Sequence, residues 1–424
     1  MATIRPFRGL RFSDVAGPIE DLVAPPYDVL SQDERNALAA KNPHNIVHLT
    51  LPEQHDDDRS QFVKYARSAA GLAEWTRSGA LKLEEKPAFY RYIQTFTIPG
   101  VKEPIVRTSV IALIKVEPYE KGVVLPHEQT FPKHKEDRLR ILEATRAHLE
   151  CIFGLFEDQG GEVFNTLKTA GAANGIDVTT EDGVRHVVEL ITDEKTTEKL
   201  SSMLAEKKVW IADGHHRFET ACTFRGMQGD KEGLIAEDFM MMALSSMSDP
   251  GLVLLPTHRT IKGLSLTAEQ LQDKLGAYFN LKPVANAEMY DAVVKAGDHS
   301  FGITLPGGKG LLATLKNPAE IDSTIEGQAS HKLKALDVTI LHELIFEKLL
   351  GIKGLELVGY TRNPEEAMRA TEEGFDMSFI MNPPTVDDMR RIALGGEKMP
   401  QKSTFYYPKI LSGLVVWSLA NFEA

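Results

Sequence analysis

At 424 residues with a net charge of −12, from 48 Lys plus Arg against 60 Asp plus Glu, the chain is too long for one ordinary core. That acidic balance argues against nucleic acid or an anionic membrane as partner, although a local basic pocket for a small phosphorylated ligand is compatible with it. Hydrophobic residues at 42% and charged residues at 25% are those of a globular protein, and two or three domains are expected.

No stretch is long and apolar enough for a membrane-spanning helix, and no apolar signal segment follows Met1, so a cytoplasmic protein is expected. Cys151 and Cys222 lie in apolar contexts and read as small core residues in a reducing compartment.

In chain order, Ala24-Pro25-Pro26 stiffens an extended corner that presents Tyr27 and Asp28, candidates for substrate contact. Asp28 and Asn45 serve equally well as turn residues. Ser31 with Glu34 has capping-box spacing and starts a helix to Ala40. A strand is expected over 46–51, a helix over 62–78, and paired strands over 89–98 and 106–116. After a strand ending at Pro126, His127-Glu128 can supply a general base and its neighbour, or a metal-ligand pair. The spacing of Leu139, Leu142 and Leu149 then predicts a helix, with Arg138 on its polar flank.

Further elements are a strand over 151–156, a helix over 161–173 ended by Asn174-Gly175, a strand over 184–191 and a helix over 196–206. Four apolar residues, Val209 to Ala212, then suit a buried strand. Asp213-Gly214 turns the chain, and residues 215–224 have helical spacing. A strand, a glycine turn and a helix start aim backbone N–H groups and the positive end of a helix dipole at one point, which suits an anion and phosphate above all. Within five residues this turn carries Asp213, His215, His216 and Arg217.

Paired strands are expected over 240–248 and 252–256, with Thr257-His258-Arg259 at the strand end. Polar clusters at strand ends are where ligands collect in mixed α/β sheets. A separate subdomain is expected over 260–330. Its Gly-Gly-Lys-Gly at 307–310 lacks the glycine spacing and hydroxyl residue of a P-loop and reads as a hairpin turn. A helix over 337–350 and strand-helix-strand-helix over 355–394 follow. Lys402, Ser403 and Thr404 then offer an ammonium and two hydroxyls to a phosphate.

Four segments together closely resemble the family called domain of unknown function 1015: Ala-Pro-Pro-Tyr-Asp-Val at 24–29, His-Glu-Gln-Thr with Lys-Glu-Asp-Arg at 127–138, Ala-Asp-Gly-His-His-Arg at 212–217, and Met-Pro-Gln-Lys-Ser-Thr-Phe-Tyr-Tyr-Pro-Lys at 399–409. The 212–217 turn also resembles the nucleotide-binding turn of the ParB/sulfiredoxin-like superfamily, which includes CTP-hydrolysing ParB proteins and an ADP-dependent free serine kinase. This second likeness covers about a third of the chain.

It implies a mixed α/β (α+β) fold with a ParB/sulfiredoxin-like nucleotide-binding core at 121–260; the flanking residues, which have no counterpart in that superfamily, are read as an N-terminal α/β domain at 1–120 and a C-terminal α/β domain at 261–424 contributing the lysine loop. Gly214, His215, His216 and Arg217 would hold nucleotide phosphates, and Arg259 with Lys402, Ser403 and Thr404 would neutralise transferred charge. Glu128, beside His127, would act as base on a hydroxyl acceptor, with Asp213 the less favoured base. Mg²⁺ with ATP or ADP, or with CTP, would be shared with Asp213 or Glu128. Tyr27, Asp28 and His258 would face the acceptor.

The implied activity is a nucleotide-dependent phosphotransferase on a small hydroxyl compound, L-serine giving O-phosphoserine being the best fit. A homodimer is compatible with this reading. The alternatives are a metal-dependent phosphatase or nucleotidase built on Asp213, His215, His216, His127 and Glu128, and a nucleotide-gated binding protein without turnover. A transaminase is disfavoured, because no lysine sits in a recognisable cofactor context.

Overall fold

The computed structural model describes residues 2–98, 101–128, 132–264, 266–354, 356–400 and 402–423, without the side chains of 132–134 and 174. The fold is mixed α/β. The chain divides into two units. Unit 1 is Met1–Pro126, Thr130–Val253 and Pro408–Ala424; unit 2 is His127–Gln129 and Leu254–Tyr407. The first two of the three expected domains thus share one sheet.

Among the described residues, nine strands form that sheet in unit 1. Its order is Val124–Leu125, Val209–Asp213, Ile152–Phe156, Phe239–Ser246, Ile105–Lys115, Phe89–Phe96, Arg185–Ile191 and Ala173–Thr179, with Ile4–Arg5 pairing Ile105–Lys115. Val209–Asp213 runs parallel to Val124–Leu125, and Phe239–Ser246 parallel to Ile152–Phe156; the other pairs are antiparallel. Strands in the middle of the sheet read as continuous apolar runs because both faces are covered. All eight residues of Phe239–Ser246 and all five of Ile152–Phe156 are buried. Val209, Ile211, Phe218, Met242 and Leu244 join one cluster, each side chain contributing roughly 1.5–3 kcal/mol on burial.

Unit 2 is built on an antiparallel sheet of order Phe279–Ala285, Lys309–Leu315, Ser300–Thr304, Met377–Met381, His258–Ile261 and Val358–Thr361. Helices Met289–Ala296 and Pro364–Arg369 cover it, with Met289, Val293, Ala367 and Ile380 in one cluster.

Several expectations are corrected. Residues 46–51 are helical, not extended, despite their β-branched content: the Asn45 side chain accepts from Val47 N at 3.0 Å and donates to Asp21 O at 2.7 Å, turning the chain into Val47–Thr50. Asn174-Gly175 does not end a helix. It lies inside the strand Ala173–Thr179, where a Cβ on Gly175 would meet Val188 O at 2.3 Å, beside a register shift at Val188/Glu189. Phe239–Ser246 pairs with strands before it in sequence rather than with residues 252–256. His258 and Arg259 sit within a strand rather than beyond one. The expected helix over 337–350 forms, but from Ile340 to Leu350 it is a wider π-helix.

Candidate functional site

The strand Val209–Asp213 and the helix His215–Gly226 meet at Gly214, which has φ 93°. Two constraints demand glycine there. The left-handed backbone disfavours any side chain, and a Cβ would stand 2.6 Å from Ile152 Cγ2 and 3.2 Å from an Arg217 Nη atom. Having no side chain, Gly214 cannot cap the helix through a side-chain hydrogen bond.

Charged groups of unit 1 surround this turn. Asp213 Oδ2 accepts from Lys409 Nζ at 2.9 Å, and its Oδ1 accepts from Gly214 N at 3.0 Å. Burial opposes the Asp213 charge, but Lys409, Arg217 and His215 outweigh it and hold the carboxyl well below its usual range. Arg217 Nη1 donates to Cys151 O at 2.9 Å. Its buried Nε has no hydrogen-bond partner among the described residues. Burial also opposes the Arg217 cation, yet the charges of Glu150, Asp28 and Asp213 push its pKa above the ordinary arginine value. Arg217 therefore stays charged.

Tyr27, expected to contact substrate, has its ring under two guanidinium groups, that of Arg138 at 4.0 Å and that of Arg217 at 5.6 Å. Burial pushes its hydroxyl up to about 12, so it is a neutral donor at physiological pH. Its backbone N donates to Glu150 Oε1 at 3.2 Å, and Ser412 Oγ donates to the same oxygen at 2.9 Å. Arg138 Nη1 donates to Thr50 O at 2.8 Å and lies 3.8 Å from Glu150 Oε2. Asp28 is exposed, His215 buried and His216 half-buried. Behind the turn, Thr50, Arg138, His148, Glu150, Arg217 and Thr220 help line a cavity of about 50 Å³.

The remaining expected residues gather in unit 2. His127 is fully buried; its Nε2 is 2.7 Å from Thr404 Oγ1, and its carbonyl accepts from Met399 N at 2.7 Å. Glu128 bridges to Met399 in parallel. Ser403 Oγ donates to Pro400 O. The hydroxyls of Ser403 and Thr404 are thus engaged within unit 2 itself. Lys402 has φ 56°, and its carbonyl accepts from Arg259 Nη2 at 3.2 Å. Arg259 also donates to Thr257 O, and its guanidinium lies 5.5 Å from the Tyr360 ring. Burial lowers its pKa to about 10, with Tyr360 and Glu128 acting in the other direction. His258 Nδ1 accepts from Met381 N at 3.3 Å, and burial lowers its pKa to about 4.

Among the described residues, no three His, Cys, Asp or Glu side chains group to hold a metal ion. Asp213 also fits poorly as a Mg²⁺ ligand. Its two oxygens already take a hydrogen bond each, and a divalent ion there would compete with an ammonium for one carboxylate.

The sequence pattern of the family described as "Protein of unknown function (DUF1015)" matches residues 4–339. The chain belongs to the DUF1015 family. No curated protein matches it. Solved structures to which this DUF1015 chain is similar include a mutant free serine kinase in complex with ADP, 14% identical, covering 77% of this chain and 99% of that one, at TM-score 0.38. Another is a conserved hypothetical protein from Pyrococcus furiosus, 16% identical over 74% and 97% of the two chains, at TM-score 0.35. A third is SbnI with C-terminal truncation from Staphylococcus aureus, 11% identical over 74% and 90%, at TM-score 0.35.

Sequence reasoning missed Lys409, Glu150 and Ser412 as members of the cluster, and placed Arg138 only on a polar flank. Lys409 closes the quoted 399–409 motif, and Arg138 closes Lys-Glu-Asp-Arg. Glu150 had one local signal, a lone acid beside the apolar run from Cys151.

Proposed function

We propose that unit 1 is a nucleotide-binding core of the ParB/sulfiredoxin type, and that the protein is a phosphotransferase moving a phosphoryl group from a nucleoside di- or triphosphate to a small hydroxyl compound, L-serine first among candidates. One observation carries the reading: the left-handed Gly214 starts a helix that no side chain caps, beside two half-buried cationic side chains, Arg217, which its carboxylate neighbours keep charged, and Lys409, 2.9 Å from Asp213. Phosphoryl transfer asks chiefly for positioning and charge neutralisation, which this arrangement supplies. The turn at 214–217, with His215 and His216, would cradle the donor phosphates. Tyr27 and Asp28 would flank them, and Glu128, the candidate drawn from the distant superfamily resemblance, would take the base role.

The test is direct. Purified protein incubated with ATP, ADP or CTP, serine and Mg²⁺ should yield O-phosphoserine, detected by mass spectrometry. Glu128→Gln should retain nucleotide affinity and lose turnover by at least about a hundredfold, the usual worth of a general base. Absence of nucleotide binding by calorimetry would overturn the reading. Binding without product on any hydroxyl acceptor would leave the gated binding protein in its place.

A further inference from the structure

Unit 2 has a polar cavity that the nucleotide reading leaves unused. It measures about 320 Å³, the size of a small-ligand pocket, and every residue lining it lies between Asp298 and Ile392. We propose that it binds a small zwitterion of the α-amino acid kind, with the ammonium against His299, Asp298 and Asp388 and the carboxylate on Lys332. Such a site goes beyond the nucleotide reading and stands without it.

His299 is held more firmly than a connecting residue needs. It stands just before the strand Ser300–Thr304 with φ 59°, a left-handed backbone that few residues with a side chain adopt. Its N donates to Asp337 Oδ1 at 2.9 Å, its ring Nδ1 lies 3.0 Å from the same oxygen, and its carbonyl accepts from Leu315 N at 3.0 Å. With Nδ1 turned to a carboxylate, the neutral imidazole carries its proton there and offers the Nε2 lone pair as an acceptor. Nε2 enters no hydrogen bond among the described residues, and the side chain, 24% exposed, helps line the cavity.

The charges around that ring favour a cation over an anion. The hydrogen bond to Asp337 raises the His299 pKa above its ordinary value against the opposing effect of burial, and the charges of Asp337, Asp298 and Asp388 add to it. A ligand carboxylate at Nε2 would meet the same three acids, whereas an ammonium is drawn to them. Asp388 spends only Oδ2 on its helix cap, accepting from Thr385 N at 2.9 Å and Thr385 Oγ1 at 2.7 Å, and Asp298 has no hydrogen bond among the described residues. Asp388 Oδ1, Asp298 and His299 Nε2 thus match the three donors of an ammonium. An amine alone would not use the cations of the same lining. His331 and Arg391 are paired with Asp322 and Asp387, at 2.9 and 2.5 Å, but exposed Lys332 has no ion pair or hydrogen bond among the described residues. A molecule carrying both charges uses the acids and Lys332 together.

The experiment is calorimetry of the full chain with each standard L-amino acid, then with the amine and the acid that lack the carboxylate or the ammonium of the best binder. At least one amino acid should bind, and each analogue should bind at least about tenfold more weakly, the worth of one charge-assisted contact. Affinity should rise between about pH 6 and pH 8, because the ammonium needs Nε2 without its proton. His299→Asn, which keeps a residue tolerant of the left-handed backbone, and Asp298→Asn, at an exposed position, should each weaken binding at least about fivefold. Lys332→Met should weaken the amino acid and leave its amine unchanged. Nucleotide binding should be the same in all three variants, so a failure here and a failure of the nucleotide site are told apart. The assignment is overturned if no standard amino acid binds, if an analogue binds as well, if affinity is equal in the His299 and Asp298 variants, or if affinity falls as pH rises. Should His299→Asn not fold, Asp298→Asn and the wild-type pH profile decide.

Discussion

Arg217 and Arg259 are both largely buried, yet the fold treats them in opposite ways. Around Arg217 stand Glu150, Asp28 and Asp213, and its charge is reinforced above that of a free arginine. Around Arg259 the hydrogen-bond partners are the carbonyls of Thr257 and Lys402 and the Met381 sulfur, with the Tyr360 ring and the Glu128 carboxylate nearby, and burial outweighs them and brings its pKa down to about 10. Arg107, which holds Pro408 O and Gln94, follows the second pattern and also falls to about 10. A guanidinium spent on carbonyls ties loops together. One ringed by carboxylates is kept charged, which the proposed phosphate site would use.

The largest effect that separates the two is expected from Arg217→Met. Removing this cation leaves Glu150 and Asp213 short of their partner. It should cost on the order of 3 kcal/mol in denaturant unfolding and abolish calorimetric nucleotide binding. Retained binding would erase the contrast.

A difference in acid response comes next. Unfolded, His258 takes a proton near 6.5; folded, burial keeps it neutral down to about 4. The unfolded state therefore binds more protons between those values, and stability falls as pH drops from 6.5 to 4, by about 1.4 kcal/mol per unit at most. His342, lowered to about 3 by burial and then by Arg259, acts in the same direction. Asp213 is depressed instead. Its contribution is intact above about 3.9 and is lost only as pH falls below that. Urea unfolding of His258→Asn across pH 7 to 4 should show a shallower slope than wild type, whereas Asp213→Asn should not change the slope in that window.

Arg259→Met should cost about 1–3 kcal/mol, from two carbonyls left without a donor, read as a lowered Tm. The smallest effect, about 1 kcal/mol, is expected from Ser412→Ala, which removes one hydrogen bond to Glu150. A cost there above about 3 kcal/mol would mean that the segment, not the carboxylate, is what Ser412 secures.

The glycine turn was legible because all its signals are local: an apolar run, a forced left-handed residue, then helical spacing. So was the Ser31 capping box, where Ser31 N donates to Glu34 Oε2 at 2.8 Å. What periodicity could not convey was tertiary override. Val47 and Leu49 suggest a strand until Asn45 binds three backbone groups. Gly175 signals a stop until Val188 O is seen pressing on it. The cluster was half legible for a related reason. Asp213 and Arg217 lie on the turn itself, but Lys409 and Ser412 reach their carboxylates across 196 and 262 residues, and no local pattern reports such a distance. The hydroxyls of Ser403 and Thr404 looked available because their partners, Pro400 O and His127 Nε2, are brought to them only by folding.

Unit 1 opens the chain and also closes it, with residues 254–407 threaded between. During synthesis, a ribosome will have released nearly all of the large sheet long before it translates Pro408–Ala424. The ammonium that faces Asp213 thus arrives 196 residues after its carboxylate, and a polypeptide abandoned at residue 407 would carry the turn and its arginine but not the lysine.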